Sequence, residues 1–381
     1  MAHQLPHRLA RTCVAAAVIA AMAGCSGGSP AAPTASGSTA PAASVSAHPV
    51  VPAEVEKRIQ EFLDLDYTGG FDQVRAILVS VHDRPVVERY YHSSAATTGN
   101  VFSVTKSVMS MLIGIALDER KLGGVDQTLA ELLPAYAATM PAAVKAVTLR
   151  QVLTMTAGLP PDPPGAIPGF VTSGDWVAAI LREGTQQPAG QGFAYSSAGS
   201  HLLSAILKQA TGRSTLDYAR AKLFTPLGIR TIPAAEPVAR PENQPAYDRA
   251  RFAWPTDPQG NHVGFTFLKL TARDMARLGQ LWLNHGRWAG RQLVSAAWVT
   301  ESTTSHVDTQ STPEQYGYQW WLTTADGHRA YAAIGYGGQL IEVVPDLDLV
   351  TIVASTDAPG AAGAQVYLDL VSSYIAPALG R

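Results

Sequence analysis

Cysteine and charge are both scarce in this sequence, and each scarcity excludes a class of protein. The 381-residue chain has two cysteines, Cys13 and Cys25, so the rest of it contains neither a disulfide nor a thiolate metal ligand. Lysine and arginine number 28 against 30 aspartates and glutamates. The basic surplus that binding to a phosphate backbone requires is therefore missing, and no nucleic-acid partner is expected. Only 15% of the residues are charged and 46% are hydrophobic, which excludes a disordered acidic protein.

Several catalytic signatures are missing as well. The ten histidines form no H-E-x-x-H pattern, so the sequence predicts neither a catalytic metal nor another cofactor. No G-x-S-x-G occurs, which argues against the nucleophile elbow of α/β-hydrolases. No sequence repeat with a period of about 20 to 50 residues is present, which excludes a solenoid. The chain is long enough for a large globular body with a chemistry of another kind.

The N-terminal region has the pattern of an export signal. Residues 1–24 contain no acidic residue, carry Arg8 and Arg11, and then run apolar over 14–23, a stretch too short to span a bilayer as a helix. The signal ends in M-A-G-C at Cys25, which resembles the bacterial lipobox and implies a lipid on that cysteine. An ordinary secretory peptide with a chance cysteine is the alternative. We therefore expect an extracytoplasmic protein that is lipid-anchored to a bacterial membrane.

A change in composition separates this leader from a globular body. Residues 25–53 consist almost entirely of Ser, Gly, Ala, Pro and Thr, without acidic residues, Lys or Arg. Such a segment cannot build a core, and it predicts a flexible tether. The body is expected over 54–381, with a helical lobe at about 122–235 where helix-like pieces are broken by Pro and Gly.

Hydrophobic periodicity predicts strands near both ends of the body and helices between them. The predicted helices are 54–66, 103–121, 200–211, 216–223, 271–285 and 364–375. The predicted strands are 76–81, 85–91, 317–322, 330–334, 340–344 and 349–354. Thr271 followed by Asp274 predicts a variant capping box. The expected fold class is α+β, an antiparallel sheet flanked by the terminal helices with an inserted all-α lobe.

A Ser-x-x-Lys tetrad opens the long apolar helix. Residues three apart share a helix face, so the Lys106 ammonium can reach the Ser103 hydroxyl. A lysine held in a desolvated pocket is one of the few groups that can activate a serine. The N-terminus of the same helix points free N–H groups towards an oxyanion. The alternative is a capping serine beside a solvated lysine.

With that tetrad, the sequence resembles the serine β-lactamase and penicillin-binding-protein superfamily. Its second motif, Y-x-N in the class C and esterase branch, has a counterpart at 195–197 (Y-S-S), and its K-T-G motif has one at 336–338 (Y-G-G). The stretches 153–159, 254–260 and 270–279 look like the branch of esterases and 6-aminohexanoate-dimer hydrolases. The resemblance covers roughly residues 54–378 and implies a β-lactamase/transpeptidase-like fold.

The resemblance implies a role for individual residues. Ser103 would be the nucleophile, Lys106 would keep a proton path open to it, and Tyr195 would be the shared acid/base group, its phenolate stabilised by the Lys106 ammonium. The backbone N–H groups of Ser103 and Gln339 would form the oxyanion hole. A core aromatic is the alternative for Tyr195.

The substrate-binding side departs from the family pattern at two positions. Ser197 stands where the second motif has Asn, and Tyr336 stands where the third motif has Lys, so the cation that holds a substrate carboxylate is missing. Gly337 and Gly338 would let substrate lie close to the strand, with a simple glycine turn as the alternative. Large aromatic residues could line an acyl or leaving-group pocket or pack in the core; these are Trp254, Tyr318, Trp320 and Trp321.

These features predict a membrane-tethered serine hydrolase that cleaves small ester or amide bonds through a Ser103 acyl-enzyme. Two alternatives keep the same nucleophile. One is a β-lactamase or D-amino-acid peptidase, and the other is a penicillin-binding sensor that is acylated but does not turn over. The expected partners are a small-molecule substrate and, through Cys25, a membrane. The sequence does not identify the acyl or the leaving group.

Overall fold

The computed structural model describes residues 52–65, 70–163, 168–356 and 363–379. Its α-helices are α1 Pro52–Leu63, α2 Val104–Asp118, α3 Leu129–Leu132, α4 Ala142–Lys145, α5 Leu149–Leu153, α6 Trp176–Glu183, α7 Ser197–Thr211, α8 Thr215–Ala219, α9 Gln244–Arg249, α10 Ala272–Leu283, α11 Ala296–Ser302, α12 Ala364–Leu370 and α13 Ala376–Leu379. Its strands are β1 Val74–Val81, β2 Arg84–Tyr90, β3 Thr98–Asn100, β4 Ala234–Ala235, β5 Phe252–Ala253, β6 Lys269–Thr271, β7 Arg287–Trp288, β8 Arg291–Gln292, β9 Val307–Asp308, β10 Gln315–Tyr316, β11 Trp321–Ala325, β12 His328–Gly335, β13 Gln339–Val344 and β14 Leu349–Ser355.

An eight-stranded antiparallel sheet joins the two ends of the body. Its strand order is β2-β1-β14-β13-β12-β11-β10-β9, so β1 pairs with the last strand in sequence, Ile77 facing Val353. The β1–β2 hairpin turns at His82 and Asp83, whose φ angles of 51° and 58° give the tight reversal that two-residue hairpin loops use. This confirms the first two predicted strands and the antiparallel sheet.

The two faces of the sheet bury different helices. Side chains alternate along β14, so Val350 and Ile352 face one core and Leu349 and Val353 face the other. The first core is closed by α2 and α10, and the second by α1 and the C-terminal helices α12 and α13. The terminal helices therefore cover the sheet as predicted. Helix α1 begins at Pro52 rather than at residue 54.

The predicted helical lobe is also present. Helices α3 to α8 lie between α2 and the short strand β4, and α7 packs against α2, α5 and α6. Helix α10 begins at the capping box that Thr271 and Asp274 form, as predicted: the Asp274 N–H donates to Thr271 Oγ1 over 3.0 Å, and the Thr271 N–H donates to Asp274 Oδ2 over 3.2 Å. The predicted signal peptide, Cys25 and most of the predicted tether lie outside the described residues. Within the described part of the chain, no helix is long and apolar enough to cross a membrane.

One predicted strand is wrong. Residues 317–322 do not form a single strand, because the chain turns between β10 and β11, where the Gly317 N–H donates to the Trp320 carbonyl over 2.8 Å. Gln319 in this turn has a φ of 62° and donates its N–H to Leu153 O in the helical lobe. The apolar run comes from packing of the turn against the lobe, not from a continuous strand.

Candidate active site

Ser103 stands at the N-terminus of a helix that is buried along almost its whole length. Every residue of α2 from Val104 to Ala116 is buried, which explains why the apolar run forms a central helix. Ser103 occupies the cap position with φ −68° and ψ −7°, but its side chain does not bond the helix backbone. The half-exposed hydroxyl is therefore free of a capping role and available for chemistry.

The residue before Ser103 has a strained backbone conformation that a neighbouring side chain holds. Phe102 has a φ of 46°, a left-handed conformation that costs a bulky residue about 1 to 3 kcal/mol. Asn100 Oδ1 accepts the Phe102 N–H over 2.9 Å and also the Phe267 N–H over 2.9 Å. Phe267 is left-handed too, with φ 66°. Asn100 thus fixes the turn that presents Ser103, a role with no sequence signal.

Lys106 lies one helical turn further along and is only 2% exposed. Its Nζ lies 3.0 Å from Ser103 Oγ and 3.1 Å from Ser197 Oγ. The same nitrogen lies 4.6 Å from the ring centroid of Tyr195 and 5.6 Å from that of Phe265. A buried amine with two hydroxyl partners and two aromatic faces is desolvated but still bonded, as a group that exchanges a proton with Ser103 must be.

The second motif brings a carboxylate to this centre. Ser197, at the start of α7, donates its hydroxyl to Asp162 Oδ2 over 2.6 Å and its N–H to Asp162 Oδ1 over 2.7 Å. Ser197 is buried between Asp162 and Lys106, so its polar atoms face the lysine and the carboxylate. Asp162 has no sequence signal of its own, because no motif spacing links it to the tetrad.

Tyr195 forms part of an aromatic wall beside Lys106. The Lys106 nitrogen lies over the face of the ring, and the ring also stacks on Trp321 with centroids 5.6 Å apart and an interplanar angle of 23°. Phe193 and Tyr316 pack edge-on against Trp321. Burial raises the pKa of Tyr316 well above its ordinary range, and Tyr195 adds a smaller rise. Tyr316 therefore stays neutral in the wall.

The third motif forms the turn of the β12–β13 hairpin. Gly335 pairs with Gln339, and Gly337 and Gly338 have φ angles of 70° and 83°, so the turn requires glycine at both positions. A side chain on Gly338 would collide with the Tyr367 ring, which gives that glycine a packing role as well. The structure supports the glycine-turn reading of this pair.

This hairpin lies directly against the segment that carries Ser103. A Cβ on Gly335 would collide with the Val101 carbonyl oxygen, so the two backbones are in close contact. The Gln339 side chain is fixed by Ser355, to whose carbonyl it donates over 2.9 Å. The two segments that were predicted to supply the oxyanion hole are therefore adjacent.

Tyr336 lies at the outer end of the same hairpin. It is 69% exposed, and its ring packs edge-on to Phe102 at 5.6 Å between centroids. Its phenol offers one neutral donor at the position where the third motif has a lysine.

Three of the four aromatics that could line a pocket or pack in the core are core residues, so the predicted substrate-binding role of Trp254 is wrong. Trp254 is 0% exposed, donates its indole N–H to Val263 O and packs on Phe224. Tyr318 and Trp320 are fully buried too, because the turn after β10 directs both into the core. Only Trp321 reaches the site, through its stack on Tyr195.

Gln319 is a further residue that the sequence did not reveal. Its carbonyl accepts the Ser107 hydroxyl of α2 over 2.7 Å, and its side-chain Oε1 accepts the Ser200 hydroxyl of α7 over 2.8 Å. Its Nε2 donates to Leu153 O over 2.9 Å. Through its backbone carbonyl and its side chain, Gln319 thus joins the helices that carry Lys106 and Ser197. Within the described residues, no three His, Cys, Asp or Glu side chains are grouped as metal ligands would be.

Comparison with known proteins identifies the family. The sequence model described as Beta-lactamase matches residues 66–373, which is most of the chain. The chain belongs to the beta-lactamase family. It is a serine hydrolase of that family, with the α+β fold that the sequence predicted.

Proteins similar to this beta-lactamase family member have hydrolase and penicillin-binding names. The chain is 28% identical over 290 residues to penicillin-binding protein 4 of Amycolatopsis lactamdurans, covering 67% of this chain and 72% of that protein. It is 26% identical over 355 residues to the 6-aminohexanoate-dimer hydrolase of Paenarthrobacter ureafaciens, covering 84% and 83%. The solved structure of EstCE1, described as a hydrolase with promiscuous acyltransferase activity, has a TM-score of 0.66 at 18% identity, covering 85% of this chain and 99% of that one. These relatives confirm the predicted superfamily and branch.

Proposed function

We propose that this hydrolase cleaves small neutral esters or amides through an acyl-enzyme on Ser103. The observation that carries the proposal is the 3.0 Å approach of the buried Lys106 nitrogen to the half-exposed Ser103 hydroxyl. Ser103 Oγ bonds to the substrate carbonyl carbon while its proton passes to Lys106. The carbon–oxygen or carbon–nitrogen bond then breaks, and the leaving group takes a proton through Tyr195. Water cleaves the acyl-enzyme and restores the serine.

Charge stabilisation in this scheme comes from the backbone. The N–H groups of Ser103 and Gln339 are the proposed oxyanion hole, and the position of Ser103 at the start of α2 adds the positive end of a helix dipole. The close contact between Gly335 and Val101 supports this assignment, because it holds the hairpin beside the nucleophile.

A neutral substrate is favoured by the residues at the mouth of the site. Tyr336 offers no positive charge to a carboxylate, and the walls that Phe193, Trp321 and Phe102 supply are aromatic. The relatives are named as a penicillin-binding protein, a 6-aminohexanoate-dimer hydrolase and a hydrolase with promiscuous acyltransferase activity, so their names do not choose among substrates.

The test compares a short p-nitrophenyl ester with a chromogenic cephalosporin in the wild type and in Tyr336→Lys. A charge-assisted bond contributes about 1.5 to 3 kcal/mol, so the lysine should raise kcat/KM for the cephalosporin relative to the ester by roughly 10- to 150-fold. Ser103→Ala serves as the inactive control. Efficient cephalosporin hydrolysis by the wild type would contradict the neutral-substrate assignment, and one burst of nitrophenol without steady-state turnover would show a penicillin-binding sensor.

We propose in addition that the enzyme is held at a membrane by a lipid on Cys25, a residue that lies outside the described part of the chain. The support is the leader sequence ending in M-A-G-C. Cys25→Ser should move the protein from the membrane to the soluble fraction with its activity kept. Cys13→Ser is the matched control and should leave it on the membrane, since residues 1–24 are expected to be removed. A Cys25→Ser protein that stays on membranes would contradict the anchor.

A further inference from the structure

Asp162, Ser197, Lys106 and Ser103 form one continuous row of polar contacts. The distances along it are 2.6 Å from Ser197 Oγ to Asp162 Oδ2, 3.1 Å from Lys106 Nζ to Ser197 Oγ, and 3.0 Å from Lys106 Nζ to Ser103 Oγ. The row starts at a half-exposed carboxylate and ends at the proposed nucleophile.

The backbone around Asp162 holds its carboxylate in place. Its N–H donates to the Tyr195 carbonyl over 2.8 Å, and the nearby Ser196 hydroxyl donates to Pro160 O over 2.7 Å. The second carboxylate oxygen accepts the Ser197 N–H over 2.7 Å. The chain segment that carries Asp162 is therefore fastened to the second motif at several points.

An ionised carboxylate only accepts hydrogen bonds, and this fixes the direction of the whole row. The single hydroxyl proton of Ser197 points at Asp162, so the Ser197 oxygen can only accept from Lys106. When Lys106 is a neutral amine, it has two N–H groups and one lone pair. Donation of an N–H to Ser197 leaves the lone pair for the proton of Ser103.

We propose that Asp162 is a positioning residue that sets this direction and thereby keeps the Lys106 lone pair turned towards Ser103. The inference rests on the proposed function, since it specifies how the Ser103 proton is accepted. Asp162 acts through Ser197, whose hydroxyl lies between its carboxylate and Lys106. The Asn of the family motif has an amide whose donor and acceptor atoms are fixed in the side chain. In this chain Ser197 replaces that Asn, and the Asp162 carboxylate fixes the direction in which the Ser197 hydroxyl donates.

Asp162→Asn reverses the direction of the hydrogen bonds along this row and leaves the side-chain volume almost unchanged. The amide oxygen still accepts the Ser197 N–H, but the amide nitrogen takes the position of Oδ2 and donates to Ser197 Oγ. The Ser197 proton must then point at Lys106, where it competes with Ser103 for the lone pair. Ser197→Ala removes the middle of the row, so the identity of residue 162 no longer reaches Lys106.

The experiment is a double-mutant cycle on the full chain with a short p-nitrophenyl ester, using Asp162→Asn, Ser197→Ala and the double variant. We expect Asp162→Asn to lower kcat by about tenfold or more with KM nearly unchanged. In the Ser197→Ala background the same substitution should change kcat by less than about twofold. Asp175→Asn is the matched control: this half-exposed carboxylate caps α6 by accepting the Ala178 N–H over 2.9 Å, and its loss should leave kcat unchanged.

Two outcomes would overturn the inference. One is an Asp162→Asn variant with wild-type kcat. The other is an equal loss of kcat in the presence and absence of the Ser197 hydroxyl, which would show that Asp162 only braces the backbone. Thermal unfolding of each variant checks that the fold is kept. A wild-type protein without turnover would contradict the proposed function instead, and labelling at Ser103 separates the two cases.

Discussion

Lys106 is an ionisable side chain that the fold buries almost completely, and its neighbours explain how. Burying a charge without partners costs several kcal/mol, but here two hydroxyls lie within 3.1 Å and the rings of Tyr195 and Phe265 flank the nitrogen. These contacts keep a polar nitrogen beside Ser103 in an otherwise apolar lobe. A reactive pair in one helical turn needs supporting residues from other parts of the chain.

Tyr195→Phe separates the packing of the Tyr195 ring from the proton transfer proposed for its hydroxyl. The phenyl ring still packs over Lys106 and against Trp321, so the site keeps its shape, but the hydroxyl that carries a proton to the leaving group is gone. We expect kcat to fall by about 100-fold or more, within the range of general acid–base catalysis, with KM changed little. Steady-state kinetics with the p-nitrophenyl ester measures both. An unchanged kcat would assign the proton transfer to another group.

Residues of the site differ in how far the sequence reveals them. Ser103 and Lys106 are three positions apart on one helix, so local spacing is enough to pair them. Asp162, Asn100 and Gln319 each bond a partner far away in sequence, and each is an ordinary polar residue in a loop or strand end. Only the folded chain shows which backbone N–H or hydroxyl each one meets.

At the scale of elements, the same locality decides which predictions are correct. The capping box at Thr271 and the first two strands are confirmed because neighbouring residues determine them. The strand predicted over 317–322 is wrong because Gln319 is drawn into a turn by contacts with Leu153, which lies far away in sequence. Trp254 and Trp320 could be pocket or core residues on sequence alone, because composition does not distinguish a pocket wall from a core; the fold buries both.

Two helical glycines should respond to alanine with opposite signs. A Cβ on Gly279 would come within 2.6 Å of Val350 Cγ1 and 2.9 Å of Ile341 Cγ2, pushing α10 off the sheet. Gly279→Ala should therefore lower the free energy of unfolding by about 1 to 3 kcal/mol. A Cβ on Gly199 would lie 3.6 Å from its nearest neighbour, an ordinary contact distance. Gly199→Ala should therefore raise the free energy of unfolding by roughly 0.5 to 1 kcal/mol. Denaturant unfolding of both variants measures these changes, and a Gly279→Ala protein more stable than the wild type would contradict the tight packing of α10 on the sheet.

At the scale of the whole molecule, the sheet is built from both ends of the body, and the residues proposed to be catalytic come from three places along the chain. The pairing of β1 with β14 closes the fold around the helical lobe. Periodicity predicts the separate strands, but their order follows from the family resemblance, since nothing local specifies that the first strand pairs with the last. The motifs converge because α2, α7 and the β12–β13 hairpin meet at one end of this framework.

A buried carboxyl in the sheet makes the stability of the molecule depend on pH. Glu342 is 1% exposed, with one hydrogen bond, from Thr323, and burial raises its pKa from 4.5 to about 8. The folded state binds this proton more tightly than the unfolded state does. The stabilisation is therefore fully present below about pH 4.5 and is lost as the pH rises through about 8.

Glu342→Gln should remove this dependence by keeping the side chain neutral at every pH. We expect the difference between the Tm of Glu342→Gln and that of the wild type to increase steadily from about pH 5 to about pH 9, in favour of the variant. Glu314→Gln, at an exposed glutamate, is the matched control and should follow the wild type. Parallel Tm curves for the wild type and Glu342→Gln would show that Glu342 does not titrate in this range.

The measurement that tests the central claim most directly is the location of a covalent label. A fluorophosphonate reacts with an activated serine and remains attached, so digestion and mass spectrometry identify the labelled residue. The account predicts one labelled peptide, with the label on Ser103 and a labelling rate that falls by at least about 100-fold in Lys106→Ala. Label on any other serine, or an unchanged rate without the lysine, would contradict the assignment of this pair as the reactive centre.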